Sequence, residues 1–185
     1  IILKFFKIKP DYYFCGNQFV FDRTHVRQSK KFKINSFDYN SFLSIKNKKI
    51  KKNNNKIIFL DSGIEDSFEN KLLGSVKNQF DKKLYWQAML KIFNKIEKEL
   101  GKTKITIAAH HRRNKQDLPI KRKFIFDKTI DLVKNCDYII CHTSLSLQWA
   151  VLFKKPIILI YVENFNYLAI SNIRELNKLS RLLDL

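Results

Sequence analysis

The sequence predicts an α/β fold, a parallel sheet with helices on both faces, and three observations carry that expectation. Residues 137–162, DYIICHTSLSLQWAVLFKKPIILIYV, read as strand, loop, helix and strand. The short apolar runs at 138–141 and 156–162 are of the kind that makes strands buried on both faces, and KIIFL at 56–60 and KITIAA at 104–109 read as further strands. From Lys56 onward the segments alternate as β, α, β, short β, α, β, α, β, α. That order builds a parallel sheet from crossover units.

Taken along the chain, residues 1–8 and 12–15 look like short strands, with Pro10-Asp11 and Gly16-Asn17 as turns. Residues 18–33 fit strand or loop. Residues 35–42, NSFDYNSF, have the polar and aromatic character of a loop leading into a helix. The run KNKKIKKNNNK at 46–56 is a basic connector, so residues 1–50 are expected to be a partial N-terminal region with its linker, and 51–185 the main domain. Strand 56–60 breaks at Asp61-Ser62-Gly63, and a long loop over 63–80 with helical pieces carries the one acidic cluster, Glu65, Asp66 and Glu69. Tyr85, Met89, Ile92, Phe93, Ile96 and Leu100 then recur at helical spacing, opposite Lys91, Asn94, Lys95 and Lys98, and Gly101 is a natural stop. That stripe reads as core packing. Strand 104–109 runs into His110-His111-Arg112-Arg113-Asn114, and residues 124–126 suggest a short strand, with Asp127 capping a helix from 128 to 134. Residues 164–185 close the chain with a helix carrying Ile170, Ile173, Leu176 and Leu179.

Composition excludes several classes. The 36 Lys and Arg against 17 Asp and Glu give a formal net charge of +19, which raises nucleic acid or an anionic membrane surface as a partner. Much of the excess is Lys interleaved with Asn, a pattern that A/T-rich codon bias also produces, and no stacking or finger motif accompanies it. A solvated, compositionally biased surface is therefore favoured over a dedicated nucleic-acid groove. Cys15, Cys136 and Cys141 lack CxxC spacing, and an odd number of thiols beside apolar runs argues for a reducing compartment, against a disulfide framework and against a zinc site. No apolar run approaches the roughly 18 residues of a membrane span. The opening IILKFFKIK is too interrupted for a complete signal peptide, and a chain that begins Ile-Ile-Leu without an initiator Met reads as a fragment or a processed product.

Ligands of open parallel sheets bind beyond the carboxyl ends of the strands. Three strand ends there supply Asp61-Ser62, His110 to Arg113, and His142 to Ser146. Arg112 or Arg113 offers paired donors for a phosphate or carboxylate. Ser144 and Ser146, at a helix start with unpaired amides, fit either simple capping or a phosphate site. His142 fits either a satisfied strand-end histidine or a ligand contact. His110 and His111 on an extended segment point to opposite faces and cannot share one ion, so no metal site is expected. No Walker loop, GxGxxG fingerprint or nucleophile elbow is present, and four glycines leave little room for a dinucleotide cofactor.

Together these residues resemble a known pattern. His110-His111-Arg112 after a strand, Asp127-Lys128-Thr129 opening a helix, and His142-Thr143-Ser144-Leu145-Ser146 ahead of Ala150-Val151-Leu152-Phe153 and Lys155-Pro156 are similar to the C-terminal half of bacterial surface-polysaccharide (capsule or lipopolysaccharide) glycosyltransferases of the GT-B fold. That group has a His-Pro-Arg-like element and a His-x-Ser-x-Ser-like turn at two strand ends; His111 stands where proline would be expected. Phe37-Asp38-Tyr39 and Phe59-Leu60-Asp61 resemble elements further upstream, so the likeness spans about residues 36–162. It implies a Rossmann-like nucleotide-sugar-binding domain over 51–185, preceded by an incomplete N-terminal segment. The enzyme would be metal-independent and cofactor-free, taking a nucleotide-sugar donor and a glycan or glycolipid acceptor in polysaccharide biosynthesis. Its place would be the cytoplasm, with peripheral contact to the inner face of an anionic membrane through the basic surface. Donor and phosphate binding would fall to His110, Arg112, Thr129, Ser144 and Ser146, and His142 and Thr143 of the same strand-end turn stand as further candidates for it. The base of GT-B enzymes commonly lies in the N-terminal domain; in this chain Asp61 and Glu65 stand as candidates. Two other classes remain: a basic nucleic-acid-binding module using 46–56 and 112–123, and a non-catalytic truncated remnant of a glycosyltransferase.

Overall fold

The computed structural model describes residues 10–16, 29–49, 56–63, 81–101, 104–142 and 144–160. The chain divides into two units, Ile1–Ile45 and Lys46–Leu185. In the first, β1 (Tyr12–Cys15) pairs in parallel with β2 (Lys30–Lys33), and Phe14 stacks on Phe32 across the pair at 5.1 Å. Of the stretch that fits strand or loop, residues 30–33 are thus strand. The helix α1 (Phe37–Ile45) begins inside the segment expected to be a loop. Ser36 makes that possible: its hydroxyl accepts the Tyr39 amide at 3.2 Å, and Asp38 adds a carboxylate to the first turn.

The second unit is an α/β fold on a five-stranded, all-parallel sheet. Its strands are β3 (Ile57–Leu60), β4 (Thr106–Ala108), β5 (Phe124–Ile125), β6 (Tyr138–Cys141) and β7 (Ile157–Leu159), ordered β5-β4-β3-β6-β7. Every residue of β3 is buried, as an unbroken apolar run requires when strands flank it on both sides. Asp137 fixes the register of β6 on β3: its carboxylate accepts the Lys56 amide at 2.7 Å, and its own amide donates to the Lys56 carbonyl at 2.8 Å.

Alternate side chains of the strands enter two separate cores. Ile57, Phe59, Ile107 and Ile140 pack with Tyr85, Trp86, Met89 and Phe93 of α2 (Lys82–Glu99). Ile58, Leu60, Ala108, Ile139 and Cys141 pack with Val133 of α3 (Thr129–Lys134) and with Leu147 and Ala150 of α4 (Leu147–Leu152). Each large apolar side chain so buried contributes about 1.5–3 kcal/mol. Asp81 caps α2 by accepting the Leu84 amide at 2.9 Å, and Gly101, at φ +89°, follows its end. Two buried residues lie outside the expected stripe, Trp86 and Glu97. Glu97 is tolerated because Arg122 pairs with its carboxylate, the Ile105 amide donates to it at 2.7 Å, and Lys104 lies 3.5 Å away. Burial raises its pKa, but these donors and cations outweigh that and leave it below the ordinary carboxylate value.

One expected cap is corrected. Asp127 sits at φ +57°, a left-handed conformation that Asp accepts, and the residue at the cap of α3 is Lys128, with no side-chain capping bond. Asp127 lies instead 3.7 Å from the Lys115 ammonium. Lys134, nearly inaccessible, donates to the carbonyls of Lys46 and Lys48, so the start of the basic connector is tied to α3. The three cysteines are buried and not in disulfides, and burial pushes the thiols of Cys136 and Cys141 up to about 12. The first strand, the 64–80 loop with Glu65, Thr143 and the closing helix fall outside the described residues. Among the described residues no helix is long and apolar enough to cross a membrane.

Candidate functional site

Strand β3 opens the unit yet lies at the centre of its sheet. The chain adds β4 and β5 on one side and then crosses to add β6 and β7 on the other. The strand order reverses beside β3, and loops leaving β3 and β6 diverge there, which is where open parallel sheets hold ligands. The three rim segments leave adjacent strands: His110 to Arg113 from β4, Asp61 to Gly63 from β3, and His142 to Ser146 from β6. Thr129, half-buried, opens α3 after β5.

The centre of the rim is a buried ion pair that the sequence does not single out. Arg113 grips Asp61 through two parallel bonds, Nε to Oδ2 at 2.5 Å and Nη2 to Oδ1 at 2.9 Å. The Gly63 amide adds a second donor to Oδ1 at 3.0 Å, and the His110 amide a second to Oδ2 at 3.1 Å. With two donors on each oxygen, the carboxylate joins the ends of β3 and β4. The guanidinium is shielded by Trp86 at 5.1 Å and Phe124 at 5.8 Å. Beside the pair, Ser62 Oγ is buried and has no hydrogen-bond partner among the described residues.

Of the two candidate arginines, Arg113 is therefore committed inward, and Arg112 is exposed on the rim. The segment is a turn, closed by the Arg113 amide on the His110 carbonyl at 3.0 Å, and within it the Arg112 amide donates to His110 Nδ1 at 3.3 Å. This corrects the expectation of an extended segment: the His110 and His111 rings lie side by side with centroids 4.2 Å apart. Even so, no group of three metal-binding side chains occurs among the described residues. Gly63, at φ +60°, passes so close to His110 that a Cβ there would sit 2.6 Å from Nδ1. Burial, then the charges of His111, Arg112 and Arg113, hold the His110 pKa below its ordinary value against the opposing pull of Asp61.

On the other side of β3, His142 is 4% exposed and both ring nitrogens are engaged. Nδ1 donates to the Ile160 carbonyl and Nε2 accepts from the Tyr85 hydroxyl, each at 2.9 Å. Burial lowers its pKa, so the imidazole is neutral and works as a link between β6, α2 and the end of β7. The serine turn also differs from expectation. Ser144 Oγ accepts the Ser146 amide at 3.2 Å, while the amides of Leu147, Gln148 and Trp149 bond to carbonyls three residues back. The amides expected to stand unpaired for an anion are thus engaged within the turn. Ser144 does the local capping, and the half-buried Ser146 makes no side-chain cap bond. A scan against protein-family models finds no match, and a search of the curated proteins finds none.

Proposed function

We propose that residues 51–185 form the Rossmann-like donor-binding domain of a GT-B glycosyltransferase, one that holds a nucleotide-activated sugar for transfer to a glycan or glycolipid in surface-polysaccharide biosynthesis. The observation that carries the reading is the reversal of strand order at β3, with a His-Arg turn and a Ser-rich turn leaving the strands on either side of it. Arg112 is the exposed cation suited to a diphosphate, and His110, Thr129, Ser144 and Ser146 are the candidate neutral polar groups for the donor, with Thr143 a further candidate outside the described residues. His142 supports the rim from inside. Asp61, with both oxygens engaged, is a fixed support and not a free base; Glu65, the other candidate, lies outside the described residues. The departing phosphate would be stabilised by Arg112 without a metal. Calorimetric titration of the chain with UDP-, GDP- and CMP-sugars tests this. One of the three is expected to bind, and Arg112→Ala to weaken it about 10-fold or more, as loss of a charge-assisted bond of about 1.5–3 kcal/mol requires. Absence of binding by all three to the folded chain would contradict the reading.

A second reading, a nucleic-acid-binding surface, has one observation in its favour. A groove of about 950 Å³ at the β4–β5 side is lined by Lys104, Lys115, Lys121, Arg122 and Lys123. Lys104 and Arg122 are already paired with Glu97, and among the described residues no aromatic ring lines the groove for a base to stack on. Oligonucleotide binding that falls steeply with salt and is lost in Lys121→Glu/Lys123→Glu would favour it.

A further inference from the structure

We propose that Arg113 is a positioning residue: through Asp61 it holds the His110 turn in a form that reserves Nδ1 for the Arg112 amide and leaves Nε2–H as the one ring donor of His110. The geometry admits little else. A backbone N–H can only donate, so the Nδ1 it reaches must carry a lone pair, and in a neutral imidazole the proton then sits on Nε2. Protonating Nδ1 would set two N–H groups against each other. The same carboxylate that Arg113 fixes accepts the His110 amide and the Gly63 amide, and Gly63 closes against the ring. The ring is thus held at its backbone and on one side by residues whose amides bond to the Asp61 carboxylate that Arg113 fixes, and at Nδ1 by the amide of Arg112, the residue before Arg113. Its lowered pKa agrees with a neutral ring.

The consequence is chemical. His110 can donate a hydrogen bond to an anionic or carbonyl oxygen, but it cannot accept a proton at Nε2 and so is not a base in this state. That the oxygen belongs to a nucleotide-sugar phosphate rests on the donor reading above; the tautomer does not. His142 provides an internal reference of opposite sense, since the Ile160 carbonyl requires its proton on Nδ1.

The test is a long-range proton–nitrogen correlation spectrum of the whole chain labelled with nitrogen-15 at histidine, at pH 7.5, with His110 assigned from His110→Gln. The expected result is Nε2 protonated and Nδ1 bare for His110, with the reverse for His142. In Arg113→Lys, which keeps the charge and loses the fork, the His110 nitrogens should move to tautomer-averaged positions while His142 stays unchanged. A protonated Nδ1 in native His110 overturns the proposal, as does an Arg113→Lys spectrum in which His110 has not moved. If loss of the His142 pattern shows that Arg113→Lys does not fold, Asp61→Asn gives the same readout, and the native spectrum remains decisive by itself. Adding UDP afterwards reads the ligand separately, through the Nε2–H signal.

Discussion

His110 and His142 end neighbouring segments of the same sheet edge, on either side of β3, and they do opposite things. His142 is enclosed by α2 and β7, with one nitrogen on the Tyr85 hydroxyl and the other on the Ile160 carbonyl. The His110 ring bonds, among the described residues, only to its own turn through Nδ1; the residue is half-buried and sits between Gly63 and His111. The difference lies in what comes over the strand end. A long helix packs above β6 and consumes the polar capacity of its histidine, whereas at β4 the buried arginine takes the inward place and the histidine stays on the rim. One strand end therefore reads as scaffold and the other as a site.

The largest test of that contrast is Asp61→Ala. It leaves the Arg113 guanidinium buried without its counter-charge, and urea unfolding should show a loss of about 3–5 kcal/mol. A loss under 1 kcal/mol would mean that the β3–β4 rim is not held by this pair. Tyr85→Phe comes next. It removes the donor to His142 Nε2 and should destabilise by about 1–3 kcal/mol while leaving the His110 ring signals where they were. Third is the pH dependence. Both histidines have pKa values below the ordinary 6.5 in the folded chain, so the unfolded chain binds more protons as the pH drops through 6.5. Stability from these groups is complete above that value and declines below it as the folded-state pKa values are approached. Urea midpoints at pH 7.5 and 5.5 should differ in that sense. His142→Gln should flatten the difference more than His110→Gln, because His142 is the more deeply buried.

The elements legible in the sequence are those whose signal is local. The runs at 57–60 and 138–141 are strands because nothing polar interrupts them, and the α2 stripe follows from helical spacing. Glu97 was also within reach: it continues Tyr85, Met89 and Phe93 at four-residue steps, on the buried side of the helix. The site was less legible because its decisive choices are not local. Arg112 and Arg113 are adjacent and chemically identical, and which one turns inward depends on a carboxylate 52 positions away and on the faces of Trp86 and Phe124. The partner that encloses His142 is 57 positions away. Asp127 has the residue type of a cap, but its backbone turns left-handed. No single-residue preference decides between those outcomes.

The most direct measurement follows both histidine rings by NMR while the chain is titrated with the nucleotide sugar that calorimetry shows to bind. Nε2–H of His110 should shift in proportion to occupancy, with His142 essentially unmoved behind Tyr85 and Ile160. Movement of His142 with His110 silent would contradict the account, since it would put the ligand on the side of the rim assigned here to scaffold.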